Sequence, residues 1–173
     1  MRRVANQGFT MVELMVALSV AGILLTVALP SYQVFVQDTR LLTQSNHFTS
    51  AVMLTKGEAV KRGRSATICP STDGVACTGG TNWSNGWIVF ADEDGDGVVD
   101  TGEEVIQVGA PLTGDNQLIS GVRTRVTFAA SGFSLGFNDT FSLCDSRGAT
   151  YSKVLIINNQ GRLRAETGTG VCS

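Results

Sequence analysis

Between Phe9 and Leu29 the chain runs for 21 residues with one ionisable side chain, Glu13, and no later segment approaches that apolar length. At 1.5 Å per residue a helix of this size spans about 31 Å, the hydrocarbon thickness of a bilayer. The segment predicts a transmembrane helix. Arg2 and Arg3 precede it and favour the cytoplasmic side, so the remainder of the chain is expected across the membrane. An ordinary secretory signal would place a small-residue cleavage site after the run. Here Pro30-Ser31-Tyr32-Gln33-Val34-Phe35 and further helix-compatible sequence follow, so removal of the run is not expected. Glu13 is costly where it stands, by about 2.5–3.5 kcal/mol on insertion scales, unless it is protonated or paired. Either it lies close enough to the interface to reach headgroup water or it is a functional intramembrane charge.

Past Pro30 the apolar residues Leu41, Phe48, Val52 and Ala59 are spaced by seven, four and seven, which places them on one helix face. The spacing predicts a helix continuing to about Lys61, an anchor and spine of roughly 80 Å, with Gly22 and Pro30 as the points where it would loosen or bend. Lys61-Arg62-Gly63-Arg64 closes it, with cations at the negative end of the helix dipole and Gly63 able to take a left-handed cap. Beyond Gly63 the texture changes to short β-type runs separated by Gly, Asn, Asp and Ser: Ala66 to Ile68, Gly86 to Phe90, Glu104 to Val108, Val122 to Ala129, Thr140 to Cys144, Lys153 to Ile157, and a last short one at Gly161 to Ala165. With 173 residues, a net charge of −2 and 43% hydrophobic residues, the chain has enough material for one folded domain beside the anchor. The expected class is α+β, one long helix packed on an antiparallel sheet.

Gly8-Phe9-Thr10-Met11-Val12-Glu13, followed by the apolar helix and Pro30, resembles the class III signal of type IV pilins and type II secretion pseudopilins. The resemblance implies cleavage between Gly8 and Phe9 by a prepilin peptidase/methyltransferase, N-methylation of Phe9, and Glu13 as the fifth residue of the mature chain. It also implies that Glu13 pairs with the terminal amine of a neighbouring subunit as filaments grow, each buried charge relieving the other's desolvation. The segments expected on this basis are a leader at 1–8, a membrane and filament-core half-helix at 9–29, an amphipathic half-helix at 30–62, and a β-rich domain at 63–173 of type IV pilin-like fold.

The four cysteines, Cys69, Cys77, Cys144 and Cys172, all lie on the exported side of the anchor, where disulfides persist. Three pairings are open. Closeness in sequence favours Cys69 with Cys77, leaving Cys144 to clamp the tail through Cys172. The spacing lacks a Cys-x-x-Cys, and the sole histidine, His47, falls in the helix, so zinc is not indicated. Asp92 to Glu103 satisfies the pattern D-x-D-x-D-G-x₅-E at every position. Asp92, Asp94, Asp96 and Glu103, with the Val98 carbonyl and Asp100 through water, would offer Ca²⁺ the hard oxygen ligands it takes. The preceding strand-like run is not the helix of a helix–loop–helix site, and an Asp/Gly-rich hairpin loop without metal accounts for the same residues. No cofactor is required on this reading, and calcium would act as a structural stiffener.

Charge is uneven. Loss of Arg2 and Arg3 with the leader would leave eleven cations against fifteen anions, yet from Val122 to Ser173 six cations face three anions. Arg123 and Arg125 alternate on an expected strand, as do Arg162 and Arg164, so each pair points to one face, an arrangement suited to sequence-independent phosphate contacts. Trp83-Ser84-Asn85-Gly86-Trp87-Ile88-Val89-Phe90, the acidic loop, Leu143-Cys144-Asp145-Ser146-Arg147-Gly148 and Gly161-Arg162-Leu163-Arg164 resemble minor pilins of the GspH/FimT/FimU group over nearly the whole chain. Gly161, Arg162 and Arg164 match the G-R-x-R tail of the FimT-type members, which bind DNA in natural transformation. The resemblance thus implies nonspecific double-stranded DNA as a partner, with Arg147 and Lys153 as further contacts. It also implies other pilin subunits as partners, a single pass through the bacterial inner membrane with a periplasmic domain, and a cell-surface pilus after assembly. The alternatives left standing are arginines on a solvated edge strand and a pseudopilin of type II secretion, whose partners are other pseudopilins and exported cargo. No nucleophile–base constellation is present, so no enzymatic role is expected.

Overall fold

The computed structural model describes residues 10–172. The chain divides into two units, one up to Asp38 and one from Thr39 onward. A single helix, α1, runs Met11–Arg62 with Pro30 inside it. In the first unit the helix carries an 18-residue stretch of mean hydropathy 2.3, none of it buried, which is long and apolar enough to cross a membrane. Thr10 starts it: its carbonyl accepts the Leu14 N–H at 3.1 Å and its hydroxyl accepts the Glu13 N–H at 3.3 Å, so a side chain satisfies one of the donors every helix start leaves unpaired.

In the second unit the end of α1 supplies a core stripe. Leu41, Phe48, Val52 and Ala59 are all at most 1% exposed, and Ala51 and Thr55 fill the same face. The helix stops at Gly63, whose φ of 64° is the left-handed conformation a side chain would resist. The Gly63 N–H reaches the Val60 carbonyl and the Arg64 N–H reaches the Ala59 carbonyl, the paired bonds of a Schellman cap.

Eight strands follow: β1 Ala66–Pro70, β2 Trp87–Ala91, β3 Val105–Gly109, β4 Gln117–Ser120, β5 Val126–Phe128, β6 Asp139–Cys144, β7 Lys153–Ile157 and β8 Leu163–Thr167. They form two four-stranded antiparallel sheets, ordered β3-β2-β1-β5 and β4-β6-β7-β8, in place of the single sheet expected. The split follows from where the chain leaves and re-enters. After β3 it departs at Gly109, β4 founds the second sheet beside β6, and β5 returns to the first sheet against β1. Residues 81–84 stitch the two together, with the Trp83 N–H on the Leu118 carbonyl at 2.8 Å and the Ser120 N–H on the Thr81 carbonyl at 2.9 Å.

β4 is a strand the sequence pattern conceals, with only two apolar residues, Leu118 and Ile119, between polar neighbours. The expected strand from Val122 shrinks to three residues for a local reason. The Asp139 carboxylate accepts the N–H groups of Val122 and Arg123, and the Ser120 hydroxyl donates to the Arg123 carbonyl at 2.5 Å, so these backbone groups are spent on a turn.

β1 and β2 are buried along their whole length because both faces of the first sheet are covered. Trp87 and Val89 face the helix, while Ile88, Phe90 and Cys69 form a second small cluster with Cys77, Val99 and Val105. Phe48 sits where all layers meet. Its ring meets Trp83 (centroids 5.6 Å, 79°) and Trp87 (5.2 Å, 86°) edge-on, a geometry that favours aromatic attraction, and Phe141 at a tilt (5.0 Å, 50°).

Glu58 links the helix end to its surroundings. It accepts Lys61 Nζ at 2.9 Å and Arg62 Nε at 2.8 Å, and Arg62 also reaches Glu104 at 2.7 Å. The hydrogen bond from Lys61, then that from Arg62, holds the Glu58 carboxyl below its ordinary range. A carboxylate with a lowered folded-state pKa contributes stability above the unfolded value, near pH 4.3, and loses it as pH falls through the folded value. Glu58→Gln should therefore flatten the acid limb of unfolding below about pH 5. Asp73, lowered by the Val75 and Ala76 N–H groups and then the Ser71 hydroxyl, should retain part of that limb. Denaturant midpoints of the full-length chain in detergent between pH 3 and 7 measure both.

Candidate functional site

The sequence singles out four places: the helix start, the acidic loop, the disulfides and the late arginines. Gly8 and Phe9 lie outside the described residues. Glu13 is exposed, and among the described residues its carboxylate has no hydrogen-bond or ion-pair partner. A carboxylate at this place on an apolar helix surface is costly in hydrocarbon unless it is protonated, paired or within reach of interfacial water.

The late arginines are set by a hairpin turn. The Asn158 N–H donates to the Arg162 carbonyl at 3.1 Å while the Gly161 N–H returns to the Asn158 carbonyl at 2.9 Å. This is a three-residue loop with a left-handed glycine, φ 67° at Gly161. A Cβ at Gly161 would meet the Gly132 carbonyl and stand 2.9 Å from the Phe128 ring, so glycine is required twice over. Lys56 Nζ, from the helix, pins the Gly161 carbonyl at 3.0 Å. The Asn158 side-chain oxygen accepts the Gln160 and Arg162 N–H groups, fixing the entry to β8.

From there alternation does the rest. Ile156 pairs with Arg164, so Arg162 and Arg164 project from one face of the second sheet, opposite the face on which Leu155 and Ile157 join the core. Arg164 touches Glu166 at 3.3 Å across exposed side chains, a weak pair. Arg162 has no acidic partner among the described residues. Together with Ile156 and Asn158 the two arginines line an open hollow of ≈ 330 Å³.

The other expected contacts lie elsewhere. Arg147 forms a two-pronged bond to Asp145 (2.9 and 2.7 Å) and stacks over Tyr151 at 4.2 Å, with 14% of its side chain exposed. Lys153 pairs with Thr167, bonds its hydroxyl at 3.1 Å, and shares the strand parity of Leu155 rather than that of Ile156. Arg123 and Arg125 precede β5 instead of alternating on a strand. Arg125 bonds the Asp96 carbonyl and lies 5.7 Å from the Phe137 ring.

The structure brings Asp92, Asp94 and Asp96 together, with one oxygen of each within 4.8 Å of the others. Such a set of oxygens suits a hard cation such as Ca²⁺. The Glu103 carboxylate instead accepts the Glu93 and Asp100 N–H groups at 2.7 and 3.1 Å. Asp92 is fully buried and accepts the Thr67 hydroxyl at 2.5 Å and the Gly95 and Gly97 N–H groups at 2.9 and 3.1 Å. Thr67 in turn lies 2.6 Å from the Thr127 hydroxyl, which ties the loop to β1 and β5.

Cys69 is joined to Cys77 and Cys144 to Cys172, with Cα–Cα distances of 5.6 and 5.8 Å. The second bond holds residues 168–172 as a strap. The Gly168 N–H bonds the Ser152 carbonyl, and the Gly170 and Val171 N–H groups bond the hydroxyls of buried Ser152 and Ser142. These strap anchors carry no charge and form no motif, and only the position of Cys172 hints at them in the sequence.

A long amino-terminal helix whose carboxy-terminal half lies on antiparallel sheets, with an unburied apolar half, is the architecture of pilin-like proteins. The family model for type II transport protein GspH matches residues 44–161, and that for the prokaryotic N-terminal methylation motif matches residues 3–29. The chain belongs to this family of type IV minor pilins and pseudopilins. Fimbrial protein Q of Moraxella bovis is 37% identical over 86 residues, 47% of this chain and 55% of its own length, so the match spans about half of that relative. The type IV minor pilin FimU of Pseudomonas aeruginosa shares the fold, with a TM-score of 0.60 at 19% identity over 78% of this chain and 93% of its own. The minor pseudopilin EpsH of the Vibrio cholerae type 2 secretion system does so with a TM-score of 0.53 at 13% identity over 74% and 97%.

The buried Asp92 predicts a measurable dependence. Asp92→Ala should cost about 2–4 kcal/mol, because it strands the Gly97 N–H and the Thr67 hydroxyl. Denaturation in chelator and in millimolar calcium checks this, and the loss in chelator isolates the hydrogen bonds from any cation.

Proposed function

We propose that this chain is a minor subunit of a type IV pilus which enters the filament by its N-terminal helix, helps to initiate or cap assembly, and holds DNA through Arg162 and Arg164 in natural transformation. The observation that carries the assembly role is the unburied apolar stretch of α1 with a partnerless Glu13 near its start. In this reading a prepilin peptidase cuts between Gly8 and Phe9 and the new terminus is methylated, in keeping with the methylation motif over residues 3–29. The domain stands in the periplasm, and Glu13 pairs with the amine of a neighbouring pilin. The DNA role is supported by two exposed arginines on one sheet face, which suit phosphates without reading sequence. For the acidic loop we propose a structural role, with calcium as the cation its oxygens would take, and the chelator comparison tests it.

A second reading, a minor pseudopilin of type II secretion, is favoured by the family model and by the fold shared with EpsH. In a pilus-bearing host, Glu13→Ala should leave membrane insertion intact while the subunit's recovery in sheared pili drops by roughly tenfold, the effect of about 1.4 kcal/mol of lost pairing. Recovery only in a secretion pseudopilus supports the second reading. With DNA, Arg162→Ala/Arg164→Ala should weaken binding and lower the salt slope by about one per arginine. An unchanged slope removes these residues from the interface.

A further inference from the structure

The outer face of the second sheet is covered at one end only. The disulfide-held strap lies over Val154, which is 1% exposed, and a Cβ at Gly170 would stand 3.3 Å from its methyl. Two residues along the same strand face the strap is gone, and Ile156 becomes the half-buried floor of the hollow between Arg162 and Arg164. The polar side chains that line the hollow, Asn158, Arg162 and Arg164, offer it donors. Asn158 has already committed its oxygen to the Gln160 and Arg162 N–H groups, which leaves its NH₂ to offer, and guanidinium groups have no acceptor. A ligand for this hollow therefore carries acceptors at its edge, negative charge beside it and an apolar flat body.

A nucleotide has that chemistry, and ≈ 330 Å³ is at the lower end of the range for small-molecule sites. In a duplex the base is stacked away and only phosphates can reach the arginines. We propose that the hollow receives one unpaired nucleotide of a DNA strand, with its base on Ile156 and against the guanidinium planes, its carbonyl on the Asn158 amide, and its flanking phosphates on Arg162 and Arg164. The inference rests on the DNA-binding reading and adds to it a preference for single-stranded or frayed DNA. Glu166, whose carboxylate touches Arg164 at 3.3 Å, then competes with phosphate and holds the affinity down.

The test uses the full-length chain in detergent and the anisotropy of a dye-labelled oligothymidylate and of a duplex of equal length, at matched salt. The single strand should bind about tenfold tighter than the duplex, the order expected from taking one face of a base out of water on Ile156. Ile156→Ala should bring that ratio towards one, with its melting temperature recorded to confirm folding, and Glu166→Gln should tighten both probes. Equal affinities for the two probes, or a preference that persists in a folded Ile156→Ala protein, overturn the nucleotide hollow while the DNA-binding reading stands. Binding of neither probe overturns both.

Discussion

Burial of Phe48 is the contact on which the second unit depends. One ring from the helix touches Trp87 of the first sheet, Phe141 of the second, and Trp83 from the segment that stitches them. Aromatic truncation at such a site removes about 3–5 kcal/mol, a large share of the 5–15 kcal/mol that a domain has in total. The two sheets share few backbone bonds, chiefly those of residues 81–84, so side chains rather than a continuous ladder set their relation. The helix stripe of Leu41, Phe48, Val52 and Ala59 is thus more than one partner of a sheet. It is the common floor on which both sheets are assembled.

That floor also fixes the arginine face. Lys56, one turn from Val52 on the same helix, holds the Gly161 carbonyl, and Gly161 packs under Phe128 and Gly132. The turn therefore has contacts on the helix and in the loop after the first sheet, although its strands belong to the second. Arg162 and Arg164 follow within three residues of this anchored glycine, so their backbone is placed by the core while their side chains stay in water. Such an arrangement keeps long, flexible cations available to a polyanion without loosening the strand that carries them.

The helix was legible because its signals are local or periodic. The apolar run, the spacing of the stripe and the left-handed Gly63 all lie within one element. β1, β2, β3, β6, β7 and β8 were legible to within two or three residues as apolar runs between turn-forming clusters. β4 was not, since it owes its place to pairing with β6, with Leu118 opposite Leu143 and Ile119 opposite Ser142, and four residues carry little pattern. The division into two sheets was hidden for the same reason: the pairing of β5 with β1 is a long-range choice. At the site, Gly161, Arg162 and Arg164 stood out by motif. The separation of Arg147 and Lys153 from them depends on strand parity and on an ion pair with Asp145, which only the folded register reveals.

Charge counting along the sequence misjudged the tail for a related reason. Six cations against three anions after Val122 suggest a broadly basic surface. In the fold Arg147 is spent on Asp145, Arg125 on the Asp96 carbonyl of the acidic loop, and Lys153 on Thr167. Arg64, at the helix cap, is likewise drawn to Glu93 at 2.7 Å. Arg123 donates to the Asn138 carbonyl at 3.5 Å, and the pair at 162 and 164 has Glu166 as its acidic neighbour among the described residues. A surface with few uncompensated charges binds a polyanion weakly and with a shallow salt dependence, because the slope scales with the number of phosphate contacts that release counterions. Any appreciable affinity must then come either from many copies along a filament or from contacts that are not electrostatic. Of the four residues lining the arginine hollow, Ile156 is the one that could supply the second kind, because its side chain has no polar group and stands directly across the strands from Arg164.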